Sequence, residues 1–438
     1  MKILHISNSD IIGGAARAAY RIHRSFEDNY ENKDILSRML VINKKADDPT
    51  TESYLNSNRR KIRVKAARYM NKLSRKWFQT NNPIIHSIAK YKNGFGEYIN
   101  SLLIRENYDI VHLHWLGDST LSIEEIGKFN LPIVWTLHDE WAYCGAEHYR
   151  SLPKLNEKEN NDYRYAEGYL SSNRPNSESG FDINKQTWER KYRSWKKPFH
   201  IVAISKYFGV NARKSLIMRE WPVNVIPNPI DNSIWSPINK SFSKELFNLP
   251  KDKTLILFGA IGGTKDPRKG ADLLVEALSI LSQSENQTSL NEIELVIFGQ
   301  NKPLNHPNLS FPVHYVGHLN DDESLRALYS AADIVIVPSR LEGLGQVACE
   351  AHSCGTPVVA FNTGGLPDVV DHMKTGFLAD PFEASSLAKG ISWVLENDLR
   401  YKKLCKASRE RAINLWSPCA ISKQYLKVYE DAIFSYKK

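Results

Sequence analysis

The sequence predicts an α/β protein made of two Rossmann-like, doubly wound domains that face each other across a cleft. Two observations predict this fold class. Short apolar segments alternate with helical patterns along the chain, and many of them are continuously apolar, as in parallel strands that are covered on both faces. The chain of 438 residues is also too long for a single hydrophobic core, so two domains are expected.

The strand candidates form two sets, which are separated by the segment IPNPID at 226–231. Proline and asparagine in this segment favour a turn, and its position suits a hinge. We therefore predict a first domain over 1–228 with a polar insertion at 151–190, a second domain over 229–415, and a C-terminal helix over 416–438 with the option of crossing back to the first domain. The strand candidates are 2–7, 35–42, 109–115, 132–138, 200–205 and 223–227 in the first set, and 254–260, 293–299, 313–318, 333–339 and 357–362 in the second.

The composition indicates an ordinary soluble globular protein, with 42% hydrophobic and 24% charged residues. The opening MKILHIS is strand-like and carries no sign of a secretory signal. No apolar run reaches the roughly 18 residues of a membrane-spanning helix. The five cysteines include no Cys-x-x-Cys pair, which favours a reducing compartment over disulfides or a thiolate zinc site. We therefore expect a cytoplasmic protein.

The net charge of +9 is concentrated in one segment, since residues 59–76 contain nine lysines or arginines and no acidic residue. An apolar stripe at helical spacing predicts that this segment is a basic amphipathic helix. The stripe consists of Ile62, Ala66, Tyr69, Met70, Leu73 and Trp77. Two interpretations stay open: residues 59–77 adsorb to an anionic membrane surface on the inner face of the cytoplasmic membrane, or the helix packs on the core with a solvated basic face. No nucleic acid partner is expected, because no recognisable binding module accompanies the charge.

The segment that follows the strand candidate 333–339 carries two glutamates with seven residues between them. Gly343 and Gly345 allow a ligand to approach the backbone, and a helix is predicted to begin near Gly345 with free N–H groups that suit a phosphate. At about 1.5 Å per helical residue, Glu350 lies about 12 Å beyond Glu342, close to the length from the sugar to the ribose of a nucleotide sugar. Glu350 suits a ribose diol, because a carboxylate accepts two hydroxyl hydrogens, and Glu342 suits sugar hydroxyls or charge at the anomeric carbon. The alternative is a surface glutamate followed by an ordinary helix-face glutamate.

A second anion site is predicted after the first strand of the second domain, in GAIGGTKDPRKGADLL. Arg268 and Lys269 lie at the expected start of a helix, where fixed cations beside N–H groups suit a diphosphate. The segment is not a Walker loop, because Gly263-Thr264-Lys265 has the wrong order. A basic turn that only caps the helix is the alternative.

Glycines at two further strand ends are candidates for contact with the same ligand. Gly364 and Gly365 follow the strand candidate 357–362 and can present backbone amides, although a plain turn is an equal alternative. Gly13 and Gly14 follow the first strand and open a helix. The pattern here is not Gly-x-Gly-x-x-Gly, which disfavours a dinucleotide dehydrogenase.

Histidines at the strand ends of the first domain are the remaining candidates. His138 and Asp139 end the strand candidate 132–138, and His138 is the best polar group for contact with a reacting sugar. His112 and His114 alternate along a strand and are expected to be structural. A metal cluster of these four residues is the alternative, but they come from two strands without ligand spacing, so no metal is predicted.

Taken together, these segments resemble the retaining glycosyltransferases of family 4, which have the two-lobed GT-B fold. The residues that carry the resemblance are the glutamate pair followed by GTPVVA and GG-x-PD, the Gly-Gly turn near the N-terminus, the strand histidine, the PN-x-x-D hinge and the KG motif. TLHDEWAYCGAEHY and FGAIGGTKDPRKGADLL look like transferases of bacterial exopolysaccharide assembly, of the colanic acid type. The resemblance covers nearly the whole chain.

The resemblance implies specific roles for the donor-binding residues. Glu350 would hold the ribose and Glu342 the donor sugar. The amides of Gly343, Leu344 and Gly345 would contact the sugar or the distal phosphate, while Lys269 would neutralise the diphosphate. Many relatives carry an arginine where this chain has Ala260–Gly263, so Lys265 or Arg268 is expected to replace that charge.

The resemblance also implies a reaction. His138 would contact the donor sugar near the reacting carbon, and Gly14 would lie against the diphosphate. The donor would be UDP- or GDP-linked, and the acceptor a carbohydrate or a lipid-linked glycan. Displacement would occur on the front face with retention, the leaving phosphate would help to take the acceptor's proton, and no metal or other cofactor would be required. Two alternatives stay open: epimerisation or hydrolysis of a nucleotide sugar on the same fold, and non-catalytic binding of a nucleotide or glycan.

Overall fold

The computed structural model describes residues 1–27, 34–82, 84–150, 162–259, 266–283, 292–303, 311–319 and 321–437. The first part of the predicted polar insertion, 151–161, lies outside the described residues, as does Lys265.

Within the described residues, the strands alternate with helices almost throughout. The strands are β1 Lys2–Ser9, β2 Leu36–Asn43, β3 Thr51–Ser53, β4 Phe78–Thr80, β5 Ile110–Leu113, β6 Ile133–Leu137, β7 Glu178–Gly180, β8 His200–Ala203, β9 Val223–Val225, β10 Thr254–Gly259, β11 Ile293–Phe298, β12 Val313–Gly317, β13 Ile334–Val337, β14 Val358–Phe361 and β15 Gly376–Ala379. The helices are α1 Gly14–Glu27, α2 Asn58–Leu73, α3 Phe95–Glu106, α4 Ile123–Ile126, α5 Arg164–Glu167, α6 Ile183–Ser194, α7 Lys206–Lys214, α8 Lys240–Leu246, α9 Ala271–Ser282, α10 Asp322–Ala331, α11 Gln346–Ser353, α12 Leu366–Val369, α13 Ala384–Leu395, α14 Asp398–Trp416 and α15 Pro418–Lys437, with short 3-10 turns at Ser171–Asn173 and Pro267–Lys269.

The predicted fold class is confirmed, since the described strands form two parallel sheets. The first sheet has the order β3-β2-β1-β5-β6-β8-β9, and the second has the order β12-β11-β10-β13-β14-β15. All pairs within both sheets are parallel. The strand order reverses between β1 and β5 in the first sheet and between β10 and β13 in the second. Ligands of open α/β sheets bind outside the carboxyl ends of the strands at these reversals.

The chain divides into two compact units, each with one of these sheets. Among the described residues, the first unit holds 1–150, 162–229 and 418–437, and the second unit lies within 230–417. The borders that the sequence predicts are 228/229 and 415/416. The second unit is therefore an insertion between the body of the first unit and its last helix.

The last helix, α15, supplies part of the hydrophobic core of the first unit. Its buried residues Ile421, Tyr425 and Tyr429 pack with Ile3 of β1 and Ile22 of α1. The two tyrosine hydroxyl groups also reach the sheet: that of Tyr425 lies 3.0 Å from Oγ1 of Thr136, and that of Tyr429 lies 2.7 Å from Nδ1 of His112. The helix is thus an integral part of the first unit.

The predicted basic helix is present as α2, but its apolar stripe does not pack on the core. The buried residues of α2 are Val64, Ala67 and Asn71, which lie on the opposite side of the helix. Ile62 is 67% exposed and Tyr69 is 61% exposed. The helix thus packs on the first unit with an exposed basic face, as the second interpretation predicts, but through Val64, Ala67 and Asn71 and not through the apolar stripe. Separately, none of the described helices has both the length and the apolar character needed to cross a bilayer.

Candidate active site

The carboxyl end of β13 is joined to the turn before α9 by close backbone contacts. The amide of Arg340 donates to the carbonyl oxygen of Arg268 at 2.7 Å, and its guanidinium binds Asp272 at 2.6 Å. Gly270 has a φ of 65°, and a Cβ atom at this position would lie 1.9 Å from the carbonyl oxygen of Pro338. Only glycine fits this left-handed, tightly packed position, so the glycine of the KG motif allows the turn to approach β13.

This contact brings together two of the residues that the sequence singles out. Nζ of Lys269 lies 2.5 Å from Oε1 of Glu342, and the hydroxyl of Ser339 donates to the same oxygen at 3.0 Å. The two charged side chains are 26% and 16% exposed, so they remain accessible to a ligand. The structure therefore places a cation and a carboxylate, 73 residues apart in the chain, at one strand end.

Arg268 lies beside Lys269 but has a different partner. Its guanidinium binds Asp266 through two nitrogens, with the shortest contact at 2.7 Å. Burial of Asp266 opposes ionisation, but the hydrogen bonds from Arg268 outweigh it and keep the pKa of that carboxyl below its usual value. Both cations thus have a carboxylate partner: Arg268 is paired within its own turn, whereas Lys269 is paired with Glu342 at the end of β13.

The loop 343–345 presents backbone amides ahead of α11. Gly345 has a φ of 99° and caps the helix, whose first internal hydrogen bond runs from the amide of Cys349 to the carbonyl of Gly345 at 3.1 Å. Within the described part of the chain, no protein acceptor is bonded to the amides of Gly343, Leu344 or Gly345. Amides at a helix start that lack protein partners suit an anionic ligand.

The predicted amide contact of Gly365 with a ligand is contradicted, whereas that of Gly364 stays a prediction. The amide of Gly365 donates to the carbonyl of Glu342 at 3.0 Å, so it is not available to a ligand. A Cβ atom on Gly365 would lie 2.2 Å from the carbonyl oxygen of Gly343, and one on Gly364 would lie 2.4 Å from that of Glu342. These glycines therefore let the backbone of 364–365 pack directly against the backbone of the loop 342–345.

Glu350 lies on α11 and is only 6% exposed. The hydroxyl of Tyr329 donates to its Oε2 at 3.1 Å, which holds the carboxylate in one orientation. An oriented carboxylate suits a diol, as the ribose role requires. Contact of Glu350 with a ribose stays a prediction.

In the first unit, Gly13 and Gly14 begin α1 at the carboxyl end of β1. Gly13 has a φ of 89°, and no described atom lies within 4 Å of a Cβ atom built on either glycine. The first hydrogen bond of the helix runs from the amide of Arg17 to the carbonyl of Gly13 at 3.0 Å. The backbone is therefore open here, as the approach of a ligand requires.

His138 follows β6 and lines a small pocket with Trp115, Asp139 and His148. Burial lowers the pKa of His138 to about 4, against a smaller opposing effect of the Asp139 carboxylate. His138 is therefore neutral near pH 7, and its ring can exchange hydrogen bonds with a sugar without carrying a charge.

Asp139 is held in place by aromatic and histidine side chains that sequence reasoning missed. It accepts from Nε1 of Trp115 at 2.7 Å and from the amide of Trp141 at 3.0 Å, and it lies 2.5 Å from Nδ1 of His148. Burial opposes ionisation, but His148 and these donors keep the pKa of Asp139 below its usual value. Nε2 of His148 in turn lies 2.7 Å from the hydroxyl of Ser87. Asp139 is thus a fixed acceptor and supports the strand end that carries His138.

A buried lysine organises the loop that continues from Asp139. Lys191 of α6 is fully buried, and its ammonium group donates to the carbonyls of Trp141, Cys144 (3.0 Å) and Gly145 (2.6 Å). Burial lowers the pKa of Lys191 to about 7. No local signal in the sequence singles out this residue, because the carbonyls that it binds lie 46 to 50 residues earlier in the chain.

The alternative metal cluster that the sequence offers consists of His112, His114, His138 and Asp139. The structure instead brings the ring nitrogens of His5, His112 and His114 within 4.8 Å of one another. Both ring nitrogens of His112 are already in hydrogen bonds, with Tyr429 and with Thr136, each at 2.7 Å. His112 is thus structural, as expected, and Asp139 belongs to a separate network. That no metal is needed stays a prediction.

Comparison with known proteins identifies each half of the chain. The family model of Glycosyltransferase Family 4 matches residues 65–233, and that of glycosyl transferases group 1 matches residues 240–412. Among solved structures, a sucrose-phosphate synthase of Thermosynechococcus elongatus is similar at 19% identity and a TM-score of 0.67, with 99% of each chain covered. The Anabaena protein HepE, solved with UDP-glucose, is similar at 17% identity and a TM-score of 0.62, with 98% of this chain and 100% of that chain covered.

Curated relatives match over a shorter stretch. A D-inositol 3-phosphate glycosyltransferase of Nocardioides sp. is 30% identical over 227 residues, which are 48% of each chain. A mannosylfructose-phosphate synthase of Agrobacterium fabrum is 26% identical over 221 residues, which are 48% of this chain and 47% of the relative. The chain thus spans about half the length of the curated relatives that it matches. The chain therefore carries a Glycosyltransferase Family 4 domain, matched over residues 65–233, and a glycosyl transferases group 1 domain, matched over residues 240–412, and it shares the two-unit α/β fold of GT-B proteins.

Proposed function

We propose that this protein transfers a sugar, with retention of configuration and without a metal ion, from a nucleotide diphosphate sugar to a carbohydrate or lipid-linked acceptor in the synthesis of a bacterial surface polysaccharide. The observation that supports this most is the arrangement at the end of β13. Lys269 contacts Glu342 there, directly before Gly343–Gly345, whose amides have no partner among the described residues, at the strand-order reversal of the second sheet.

The chemistry of this arrangement suits the leaving group. The bond to the anomeric carbon breaks and negative charge develops on the diphosphate, which a fixed cation and preorganised amides stabilise. Lys269 supplies the cation, and the carboxylate of Glu342, 2.5 Å away, orients it. Each charge-assisted hydrogen bond to the diphosphate contributes on the order of 1.5–3 kcal/mol. His138 would contact the donor sugar, and Glu350 its ribose.

Similar proteins suggest the identity of the donor and of the acceptor. HepE was solved with UDP-glucose, which favours a uridine nucleotide over a guanosine nucleotide. The curated relatives are named for small phosphorylated acceptors or products, D-inositol 3-phosphate and mannosylfructose phosphate. A phosphorylated polyol or sugar is therefore the second candidate acceptor, beside an envelope glycan.

The experiment incubates the purified protein with radiolabelled UDP- and GDP-sugars, each with cell-envelope lipid, with inositol phosphate, or with no acceptor. Labelled glycolipid with the anomeric configuration of the donor is the expected product. Labelled phosphate ester would select the second acceptor, and an altered sugar nucleotide or free sugar without acceptor would select epimerisation or hydrolysis. A folded protein that binds no nucleotide and transfers no sugar would contradict the proposal.

Variants of the two glutamates test which residues form the site. Glu350→Ala should weaken nucleotide binding about tenfold or more, because the ribose loses its acceptor, whereas Glu342→Ala should mainly lower turnover. Glu396→Ala is the matched control, since Glu396 is an exposed residue between α13 and α14 that pairs with Arg400 at 2.6 Å. Normal transfer by both site variants would show that the site is misplaced.

We also propose that α2 lies on the inner, anionic surface of the cytoplasmic membrane. Its outward face carries Ile62 and Tyr69, and Trp77 just beyond the helix is 70% exposed. Phe181, 50% exposed, extends the stripe, because its amide donates to the carbonyl of Trp77 at 3.2 Å. Exposed lysines, including Lys65, Lys72 and Lys76, flank this stripe. An outward apolar stripe between basic side chains is the pattern of a helix that lies in the headgroup region of anionic lipids.

Flotation with vesicles tests this second proposal. We expect the protein to float with phosphatidylcholine vesicles that contain phosphatidylglycerol, and much less with phosphatidylcholine alone. Changing Ile62, Tyr69 and Leu73 to serine, or the three lysines to glutamine, should each reduce flotation at least tenfold. Leu399→Ser, at a site 73% exposed on the second unit, is the control. Equal flotation of all variants would remove the proposal.

A further inference from the structure

Three imidazole rings form a hydrogen-bonded line from the candidate sugar-contacting histidine into the interior of the first sheet. Nε2 of His138 lies 3.2 Å from Nδ1 of His114, and Nε2 of His114 lies 3.0 Å from Nδ1 of His5. The rings come from β6, β5 and β1, which are neighbours in the sheet. His5 and His114 are almost fully buried, and His138 is 8% exposed.

The two ends of this line differ. At the inner end, Nε2 of His5 is buried and, among the described residues, has no hydrogen-bond partner. At the outer end, Nε2 of His138 is taken by His114, so Nδ1 is the ring nitrogen left for a ligand in the pocket beside Trp115 and Asp139. Burial lowers the pKa of His5 and of His114 well below the usual value, as it does for His138, so all three rings are neutral.

Counting hydrogens restricts the tautomers. Each neutral ring carries one N–H, so the three rings supply three hydrogens, and the two contacts between rings use two of them. The third hydrogen lies at one end of the line: on Nδ1 of His138, or on Nε2 of His5. The second choice would leave an N–H group buried without an acceptor, which is rare in proteins because it costs the full desolvation of the donor.

We propose that His5 and His114 are positioning residues that hold His138 in its Nδ1–H tautomer, so that His138 donates a hydrogen bond to an oxygen of the donor sugar. This rests on the proposed function for the identity of the ligand, although not for the tautomer itself. It also defines what His138 does not do. A neutral ring whose outward nitrogen already carries hydrogen cannot take a proton from the acceptor, so His138 is not the general base.

The first measurement is the ¹⁵N spectrum of the ring nitrogens in full-length protein labelled at histidine, because nitrogens with and without hydrogen resonate in separate ranges. His138→Asn identifies the resonances of His138 by their loss. We expect a hydrogen-bearing Nδ1 and a hydrogen-free Nε2 at His138. The opposite pattern, with the hydrogen on Nε2 of His5, would overturn the proposal. This measurement does not depend on sugar transfer. Failure of the proposed function can therefore be distinguished from failure of the proposed tautomer.

The second measurement uses a matched set of variants. His114→Leu removes the donor to His138, and we expect mixed tautomers at His138 and a roughly tenfold lower kcat with little change in the KM for the donor. His114→Asn places an amide N–H near the position of Nδ1 and should restore most of both. His200→Gln is the control, because His200 is also a buried histidine of the first sheet but is bonded to Ser435, outside the line.

His5→Leu extends the set to a residue that does not touch His138. The same change in the spectrum of His138 is expected, because the inner donor of the line is lost. An unchanged His138 spectrum in folded His5→Leu and His114→Leu proteins would overturn the positioning role. Should either variant fail to fold, the wild-type spectrum alone still decides the tautomer.

Discussion

The two strand edges that carry the candidate residues are built in opposite ways. At the first sheet, the edge consists of buried side chains that bind one another: His138 to His114, and Asp139 to Trp115 and His148. At the second sheet, beside the pair of Lys269 and Glu342, it consists mainly of backbone, with glycines packed against carbonyls and three amides that have no partner among the described residues. The first edge holds a few polar side chains in fixed orientations, whereas the second offers backbone N–H groups to an anion. The predictions below test this contrast.

The largest effect is expected at the second edge, from Lys269→Ala. Loss of the cation should lower kcat/KM for the nucleotide sugar by about 10² to 10³, because a preorganised group that stabilises the leaving charge is lost. Steady-state kinetics with the best donor of the panel measures this. Lys251→Ala is the matched control, since Lys251 forms a similar pair with Glu245 at 2.6 Å on the surface. Equal losses in both variants would mean that Lys269 has no special part.

At the first edge, Lys191→Met should lower the free energy of unfolding by about 3 kcal/mol. The carbonyls of Trp141, Cys144 and Gly145 would lose their common donor in the interior, and each buried unpaired acceptor is costly. Urea unfolding followed by tryptophan fluorescence measures the change. Lys185→Met, on the same helix but partly exposed, should change stability by less than about 0.5 kcal/mol. A Lys191→Met protein as stable as the wild type would mean that these carbonyls find other donors.

Two glycine variants distinguish effects on ligand binding from effects on stability. Gly365→Ala should lower the melting temperature and weaken nucleotide binding together, since its Cβ atom would press on the carbonyl of Gly343 at 2.2 Å. Gly14→Ala has open space around the added carbon, so it should leave stability unchanged but weaken donor binding about tenfold if a phosphate approaches there. Thermal shift with and without nucleotide reports both. Full binding by Gly14→Ala would show that no ligand approaches this glycine.

The smallest effect concerns a lone buried histidine in the second unit, which contrasts with the three linked rings of the first. His352 lies 3.1 Å from the carbonyl of Thr375, stacks on Trp416, and has its pKa lowered to about 3 by burial. The unfolded chain, with an ordinary histidine pKa near 6.5, binds more protons than the folded protein between pH 3 and 6.5. Stability is therefore lost as the pH falls through this window.

His352→Gln should remove this contribution, and the free energy of unfolding should then fall less steeply, by about 1 kcal/mol per pH unit between pH 5.5 and 4.5. Urea unfolding at several pH values measures the slope, and the exposed His318→Gln serves as control. An unchanged slope in His352→Gln would mean that His352 does not become protonated on unfolding in this range.

The contrast also explains which parts of the site could be predicted from the sequence. Lys269, Glu342 and the loop 343–345 were found because glycine spacing and a following helix are local signals. Trp115, His148 and Lys191 were not, because each acts on a partner 9 to 50 residues away that only the sheet brings close. The short strands β3, β4, β7 and β15 were missed for a related reason: segments of three or four residues are too short for a periodic pattern to be recognised. Periodicity found the apolar stripe of α2 but could not tell which side faces the protein.

The return of α15 to the first unit has a consequence for how the protein is made. Tyr425 and Tyr429 fill the core beneath β5 and β6, yet they leave the ribosome only after the second unit has been synthesised. The whole of 230–417 is synthesised while the first sheet still lacks this covering. Nascent chains stalled before residue 418 should therefore carry an incomplete first unit that depends on chaperones, and a C-terminal truncation should damage the most N-terminal strands.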